Sequence, residues 1–153
     1  MQKKINIQNK KARFEFEILD KYIAGIQLTG TEIKSIRNSQ ARITESFCEF
    51  NERGELFIVN MYIQEYMFGH HFNHNPKSER RLLLNKRELR SLKKDVEAKG
   101  NTIVPLRLFI NDRGFAKLEI ALAKGKQTHD KRNVIKDRDN KRDLARIKKS
   151  FNA

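Results

Sequence analysis

Val104-Pro105-Leu106-Arg107-Leu108-Phe109-Ile110-Asn111-Asp112-Arg113-Gly114-Phe115-Ala116-Lys117-Leu118-Glu119-Ile120-Ala121-Leu122 is the stretch on which the fold turns. Val104, Leu106, Leu108 and Ile110 recur with period two, the repeat of a strand with one apolar face. Asn111-Asp112-Arg113-Gly114 then reads as a tight turn, and Leu118, Ile120 and Leu122 resume the alternation with Lys117 and Glu119 turned outward. Pro105 has no N–H to give to a ladder, so its strand needs an edge or a bulge there.

Working outward, the same grammar repeats. Ser46–Phe50, a turn at Asn51-Glu52-Arg53-Gly54 and Leu56–Ile63 form a second hairpin. Residues 14–28 read as two short strands, Phe14, Phe16 and Ile18 alternating before Leu19-Asp20-Lys21 turns the chain into Tyr22–Leu28. Two segments change period. Thr29 starts a short helix whose Ile33 and Ile36 stand three apart. Asn85 caps a second helix, with Glu88 three residues on as in a capping box and Leu89, Leu92 and Val96 on one face. Gly100 is placed to end that helix. The expected fold is mostly β: an OB-like small β-barrel with two or three short helices and a basic C-terminal tail. Such barrels are frequent RNA platforms.

Charge separates the chain into two parts. Lys and Arg number 33 against 19 Asp and Glu, a net charge of +14 over 153 residues. Self-repulsion on that scale is relieved by a polyanion, either nucleic acid or an anionic membrane. No apolar run reaches bilayer-spanning length, and Met1-Gln2-Lys3-Lys4-Ile5-Asn6 lacks the apolar stretch of a signal peptide. Nucleic acid is therefore the expected partner, and no membrane. Residues 124–153 hold eleven basic and four acidic residues, half of the net charge, with few large apolar side chains. The expected division is a barrel over 1–123 and a tail over 124–153 that is disordered when free. Leu144, Ile147 and Phe151 would share one helical face if a partner induced a helix.

Chemistry-bearing residues are few. Cys48 is the single cysteine, flanked by Phe47 and Phe50; a buried structural thiol and a reducing cytoplasm are expected. His70-His71-Phe72-Asn73-His74 lacks a second ligand pair at zinc spacing and reads as a flexible polar loop, so no metal and no cofactor are expected. His129-Asp130 sits in the tail, where a base and its orienting group would lack the rigid setting that catalysis needs; no catalytic residue is assigned. An imidazole flanked by Lys and Arg suits base stacking and phosphate contact. Asn9-Lys10-Lys11-Ala12-Arg13, Lys34 and Arg37, and Arg80-Arg81 through Lys86-Arg87 are candidates to surround a phosphate backbone, each contact gaining from counterion release. No GxxxxGK[ST] loop or GxSxG elbow is present.

Several blocks resemble one family in order along the chain: Asn9-Lys10-Lys11-Ala12-Arg13, Ala24-Gly25-Ile26, Gly30-Thr31-Glu32-Ile33-Lys34-Ser35-Ile36-Arg37, Arg81-Leu82-Leu83-Leu84-Asn85-Lys86-Arg87-Glu88-Leu89, Ala123-Lys124-Gly125-Lys126 and His129-Asp130-Lys131-Arg132. The chain is similar to the SsrA-binding (small protein B) family of bacterial trans-translation. That resemblance implies a non-enzymatic cytoplasmic protein, a monomer, that binds the tRNA-like domain of transfer-messenger RNA. It implies delivery to the A site of a stalled ribosome, with the tail folding as a helix in the empty mRNA channel. Asn9, Lys10, Lys11, Lys34, Arg37, Leu83, Asn85 and Lys86 are the expected RNA-binding set, Leu83 and Asn85 by match to family positions tied to it. Gly125, Lys126, His129, Asp130, Lys131, Arg132 and Ile147 are the expected ribosome-contacting tail set, with His129 near the decoding bases. The family often carries Glu directly before Ala-Gly-Ile, where this chain has Ile23. It has Asp-Pro where Asn75-Pro76 stands, and often an aromatic at Asn140. A ribosomal or ribosome-assembly protein with a basic extension is the alternative, and a metal-dependent nuclease using His71, His74 and Asp130 a distant third.

Overall fold

A computed structural model describes residues 4–69, 72–98 and 100–125. Nine strands and three helices follow in the order β1 Asn6–Gln8, α1 Lys10–Glu15, β2 Phe16–Ile26, α2 Gly30–Arg37, β3 Ala41–Arg42, β4 Phe47–Phe50, β5 Leu56–Val59, β6 Tyr62–Ile63, β7 Arg80–Leu83, α3 Lys86–Val96, β8 Asn101–Ile110 and β9 Ala116–Gly125. The main sheet runs β1-β8-β4-β5-β7-β2-β9, and β9 also pairs β8, so six strands close on themselves, with β1 pairing the β8 edge further along from β4. All pairings are antiparallel. Closure removes the sheet edges that would otherwise invite aggregation. β3 and β6 form a separate two-stranded ribbon.

Inside the barrel, Ile26, Ile58, Leu56, Leu82, Ile103, Leu108, Leu118, Ile120 and Leu122 pack together, and Ile36 of α2 and Leu92 of α3 join them fully buried. Cys48 belongs to this core, and burial pushes its thiol far above the ordinary range. Both expected turns form, with Gly54 at φ +80° and Gly114 at φ +85°. The expected capping box of Asn85 with Glu88 forms as well, and Thr29, expected only to start α2, makes a second one with Glu32.

Four expectations are corrected. Residues 16–26 make one strand, not two: Ile18 pairs Ala123 and Asp20 pairs Leu122, leaving Leu19 as the extra residue of a bulge. Phe14 lies in α1, not in a strand. Leu56–Ile63 is interrupted at Asn60, where φ is +66°, and Tyr62–Ile63 turns away to pair β3. α3 ends at Val96 with Glu97 as its C-cap, ahead of Gly100, whose φ of +84° serves the turn into β8.

A fifth correction concerns the stretch that decides the fold. Pro105 pairs Ile120 and Arg107 pairs Glu119, so Leu106 is a bulge, at the place where proline requires one. One extra residue reverses the faces of a strand. Val104 and Leu106 therefore leave the barrel interior and join Ala12, Ala121 and Ala123 in a second cluster, while Ile103 and Leu108 point inward. Phe16 and Ile18 meet the same outer cluster, and α1 covers it. A six-residue helix is too short to persist alone. Here Asn9 holds it, accepting from the Ala12 N–H and donating to the carbonyls of Pro105 (3.0 Å) and Ile43 (3.4 Å).

β9 runs through Gly125, which stands opposite Phe16; Lys124 stands opposite Glu17 and Asn101. Lys124 and Gly125, assigned to the tail from sequence, are strand residues of β9. No helix among the described residues is long and apolar enough to cross a membrane.

Candidate nucleic-acid interface

Across β7, β2 and β9, Leu83 stands opposite Gly25, and Gly25 opposite Lys117. These residues share the outer face of the barrel wall. Glycine leaves a dip there: a side chain at Gly25 would meet Leu83 Cβ at 3.4 Å and the Lys117 ammonium at 3.7 Å. Leu83 remains 48% exposed, unusual for a strand leucine in a closed barrel. Ile33 and Arg37 of α2 and Phe115 of the β8–β9 turn complete a recess of about 360 Å³.

Arg37 and Lys117 line this recess, and further cations stand on α2 and α3. Lys34 and Arg37 lie exposed on α2, and the Lys34 Nζ sits 5.4 Å from the centre of the Tyr66 ring. Two residues beyond Leu83, Asn85 opens α3, receiving the Glu88 N–H at 2.8 Å. Lys86, Arg87, Arg90, Lys93 and Lys94 follow, all exposed, and none is in an ion pair among the described residues. Five unpaired cations on one short helix repel one another unless a polyanion approaches.

The remaining basic residues are used differently. Arg80, counted from sequence among the phosphate candidates, is 3% exposed. It pairs with buried Glu32 and donates to the carbonyls of Met61 (2.7 Å), Asn75 and Pro76 (both 3.1 Å). It is a structural tie between α2, β7 and the loop before β7. Arg81 pairs with Glu55 at 3.0 Å. The Asn51 amide, and Arg81 with Arg53 nearby, hold the Glu55 carboxyl below its usual range.

Asn9, Lys10 and Lys11 lie elsewhere. Gly25–Lys117 and Phe16–Gly125 mark opposite ends of the β2–β9 ladder, about 26 Å apart along β9 at about 3.3 Å per residue. α1 belongs to the second end, from which the chain leaves β9. Asn9 is 4% exposed with its amide engaged, so it orients α1 and does not face a ligand. Lys10 is exposed; Lys11 reaches Glu45 and, at 3.7 Å, Glu15, and the Glu45 hydrogen bond raises its ammonium above the ordinary value. The sequence-derived set is thus divided: Arg37 and Leu83 line the recess, Lys34 stands on the helix that carries Arg37, Asn85 and Lys86 begin α3 just after Leu83, and Lys10 and Lys11 belong to α1. Of the tail set, Gly125 closes β9, and Lys126, His129, Asp130, Lys131, Arg132 and Ile147 lie outside the described residues.

Three residues of the recess escaped the sequence reading. Lys117 had been read only as an outward strand position, and Gly25 only as part of a family block. Phe115 carried a signal, a large aromatic directly after a polar turn, and it is 63% exposed. Ile23, the position without the family's Glu, is 47% exposed and stands opposite Glu119. The Glu119 carboxylate is held by Arg107 at 3.3 Å and Arg13 at 3.9 Å. The histidine-rich loop is only partly described. Its His74 donates from Nε2 to the Ile63 carbonyl at 2.9 Å, which leaves Nδ1 to accept from the Thr31 hydroxyl at 2.9 Å in the neutral ring. Asn73 bonds the backbone of Tyr66 and Gly69, so this part of the expected flexible loop is tied down. Among the described residues no three metal-ligating side chains come together.

The family model described as "SmpB protein" matches residues 6–150. An SsrA-binding protein of Flavobacterium psychrophilum is 67% identical over 151 residues, covering 99% of this chain and all of that one. One of Bacteroides thetaiotaomicron is 51% identical over 146 residues, covering 95% and 97%. A chain of the solved structure described as "tmRNA-SmpB: a journey to the center of the bacterial ribosome" superposes with a TM-score of 0.69 at 44% identity. It covers 86% of this chain and 94% of that one. With the family pattern spanning both the barrel and the basic segment that follows it, this chain belongs to the SmpB protein family.

Proposed function

We propose that this chain binds transfer-messenger RNA (SsrA RNA) through the tRNA-like domain and delivers it to the A site of stalled ribosomes. It thereby serves trans-translation, ribosome rescue and tagging of the nascent chain. The observation that carries this reading is the band of unpaired cations on α2 and α3 beside exposed Leu83, in a chain so similar to SsrA-binding proteins. Lys34, Arg37 and Lys86 meet phosphates, Leu83 offers apolar contact, and Asn85 orients the start of α3. Phosphate contacts of this kind position an RNA, and its shape and unstacked bases supply the selectivity. Lys10 and Lys11, carried by Asn9, form a second basic site at the other end of the barrel.

The tail divides from the barrel after Gly125. Lys126, His129, Asp130, Lys131, Arg132 and Ile147 contact the ribosome, and the tail folds as a helix there because ribosomal RNA supplies the counter-charge it lacks alone. The protein acts in the cytoplasm, by binding and positioning RNA without catalysing a reaction.

Sequencing the RNA that co-purifies with the full chain tests this function. Enrichment of transfer-messenger RNA, with tighter binding to its tRNA-like domain than to ribosomal RNA fragments, is the expected result. Preference for ribosomal RNA would point instead to a ribosome-assembly protein.

A further inference from the structure

Lys and Arg number 33 in 153 residues, yet none stands between Arg53 and Lys77. Residues 54–76 are the longest stretch of the chain without either, and their acidic residues are Glu55 and Glu65. The same stretch holds Met67, Phe68 and Phe72, which are 66% to 91% exposed. Three large apolar side chains in water within six residues mark a surface kept for contact. The backbone that presents Met67 and Phe68 is held. Asn73 Oδ1 accepts the N–H groups of Tyr66 and His74 (both 3.1 Å), and the Asn73 amide donates to the carbonyls of Tyr66 (2.8 Å) and Gly69 (3.0 Å). Gly69 lies so close to α2 that a side chain there would meet the Thr31 methyl at 3.0 Å and the Asn73 amide nitrogen at 2.9 Å. Tyr66 packs edge-on against Phe68, with ring centres 5.6 Å apart, and carries the Lys34 ammonium on its ring.

Charge decides which partner fits. A loop that meets RNA gains from each cation it brings to a phosphate, and this stretch carries none. With a net charge of +14, the chain repels other basic proteins over most of its surface. Here the sign differs: Glu65 is exposed and in no ion pair among the described residues. A basic protein can approach there without that repulsion. Met and aromatic side chains are also what the buried centres of protein interfaces favour. We propose that Met67, Phe68 and Phe72 form a protein-docking surface that enters an apolar cleft on a basic protein of the ribosome, with Glu65 meeting a cation at the rim. This contact, which rests on the ribosomal role proposed above, adds a protein partner to the RNA.

The test uses the full-length chain bound to transfer-messenger RNA and purified ribosomes stalled on an mRNA without a stop codon. With p-benzoylphenylalanine in place of Phe68, irradiation is expected to cross-link the chain to a basic ribosomal protein. Cross-links to RNA alone, to a second copy of the chain or to nothing overturn the docking surface. The triple variant Met67→Ser, Phe68→Ser, Phe72→Ser removes only exposed apolar groups, and thermal unfolding checks that it folds. It should bind transfer-messenger RNA as wild type does, and its complex should bind the stalled ribosome about 5- to 30-fold more weakly, the range of an interface anchor. Glu65→Lys separates the two kinds of partner. It should weaken ribosome binding if a basic protein faces the loop; tighter binding, as RNA would give, or unchanged binding overturns the proposal. Wild-type protein that binds neither transfer-messenger RNA nor the stalled ribosome overturns the underlying function itself.

Discussion

Arg80 and Glu32 form an ion pair with both side chains out of water, 2% and 5% exposed. Arg80 also donates to three backbone carbonyls, so its charge and its remaining donors are satisfied together. The pair fixes α2, which carries Lys34 and Arg37, against β7, which carries Leu83. Removing one partner strands the other charge in the interior. Arg80→Ala should lose about 3–5 kcal/mol by urea unfolding. Joining it to Glu32→Gln should cost less than the two single losses added. Additive losses in the double-mutant cycle would mean that the pair is not coupled.

Asn85 both caps α3 and adjoins the recess. Asn85→Ala should cost about 1 kcal/mol of stability through the lost cap. It should also weaken binding to the tRNA-like domain. Thermal unfolding and an RNA titration on the same preparation separate the two effects. Unchanged affinity in a folded variant would reduce Asn85 to a cap alone.

Ile23 stands opposite Glu119, so Ile23→Glu sets two carboxylates face to face across a strand pair. Arg107 and Arg13 already hold Glu119, which softens that repulsion. If RNA crosses this position as in relatives carrying Glu there, affinity should be kept or improved. We expect the opposite, because Ile23 adjoins the cationic recess: a loss of about threefold to tenfold that shrinks as salt screens the new charge. Titrations at two salt concentrations decide.

Because β9 closes the barrel by Gly125, a chain ending at Asn133 should keep its thermal stability within about 0.5 kcal/mol, the range of changes away from packed features. It should retain most of its affinity for transfer-messenger RNA yet fail to support tagging on stalled ribosomes. His129→Ala in the full chain should give a milder form of the same defect, about one stacking contact of 1–3 kcal/mol. A reconstituted rescue assay beside an RNA titration measures both. Normal tagging by the truncated chain would remove the tail from the mechanism.

Local chemistry was legible where it is complete within a few residues. The helix start at Thr29, the capping box at Asn85, the turns closed by Gly54 and Gly114, and a bulge as one of the two ways to seat Pro105 all form as read. Of the candidate residues, Leu83 and Arg37 line one recess, whereas Arg80 looks like a phosphate ligand in sequence and is buried. A guanidinium carries the same charge in either place. Only the partner brought in from 48 residues away, Glu32, decides which use it has.

By itself the sequence determined the β character, the helix caps, the turn positions, the excess of positive charge and the family, because each depends on residue type and short spacing. Tertiary structure alone decided three things. It closed the barrel through the second pairing of β9, a contact between strands whose bonding groups are the same in every residue. It set the bulges at Leu19 and Leu106, each of which reverses a strand's faces and sends Ile18, Val104 and Leu106 to an outer cluster that α1 covers. And it gathered Gly25, Leu83, Phe115, Arg37 and Lys117 into one recess. Period-two patterning records that a strand has two faces. Which face looks inward after an inserted residue depends on the register with its neighbours, and that register is a property of the assembled sheet.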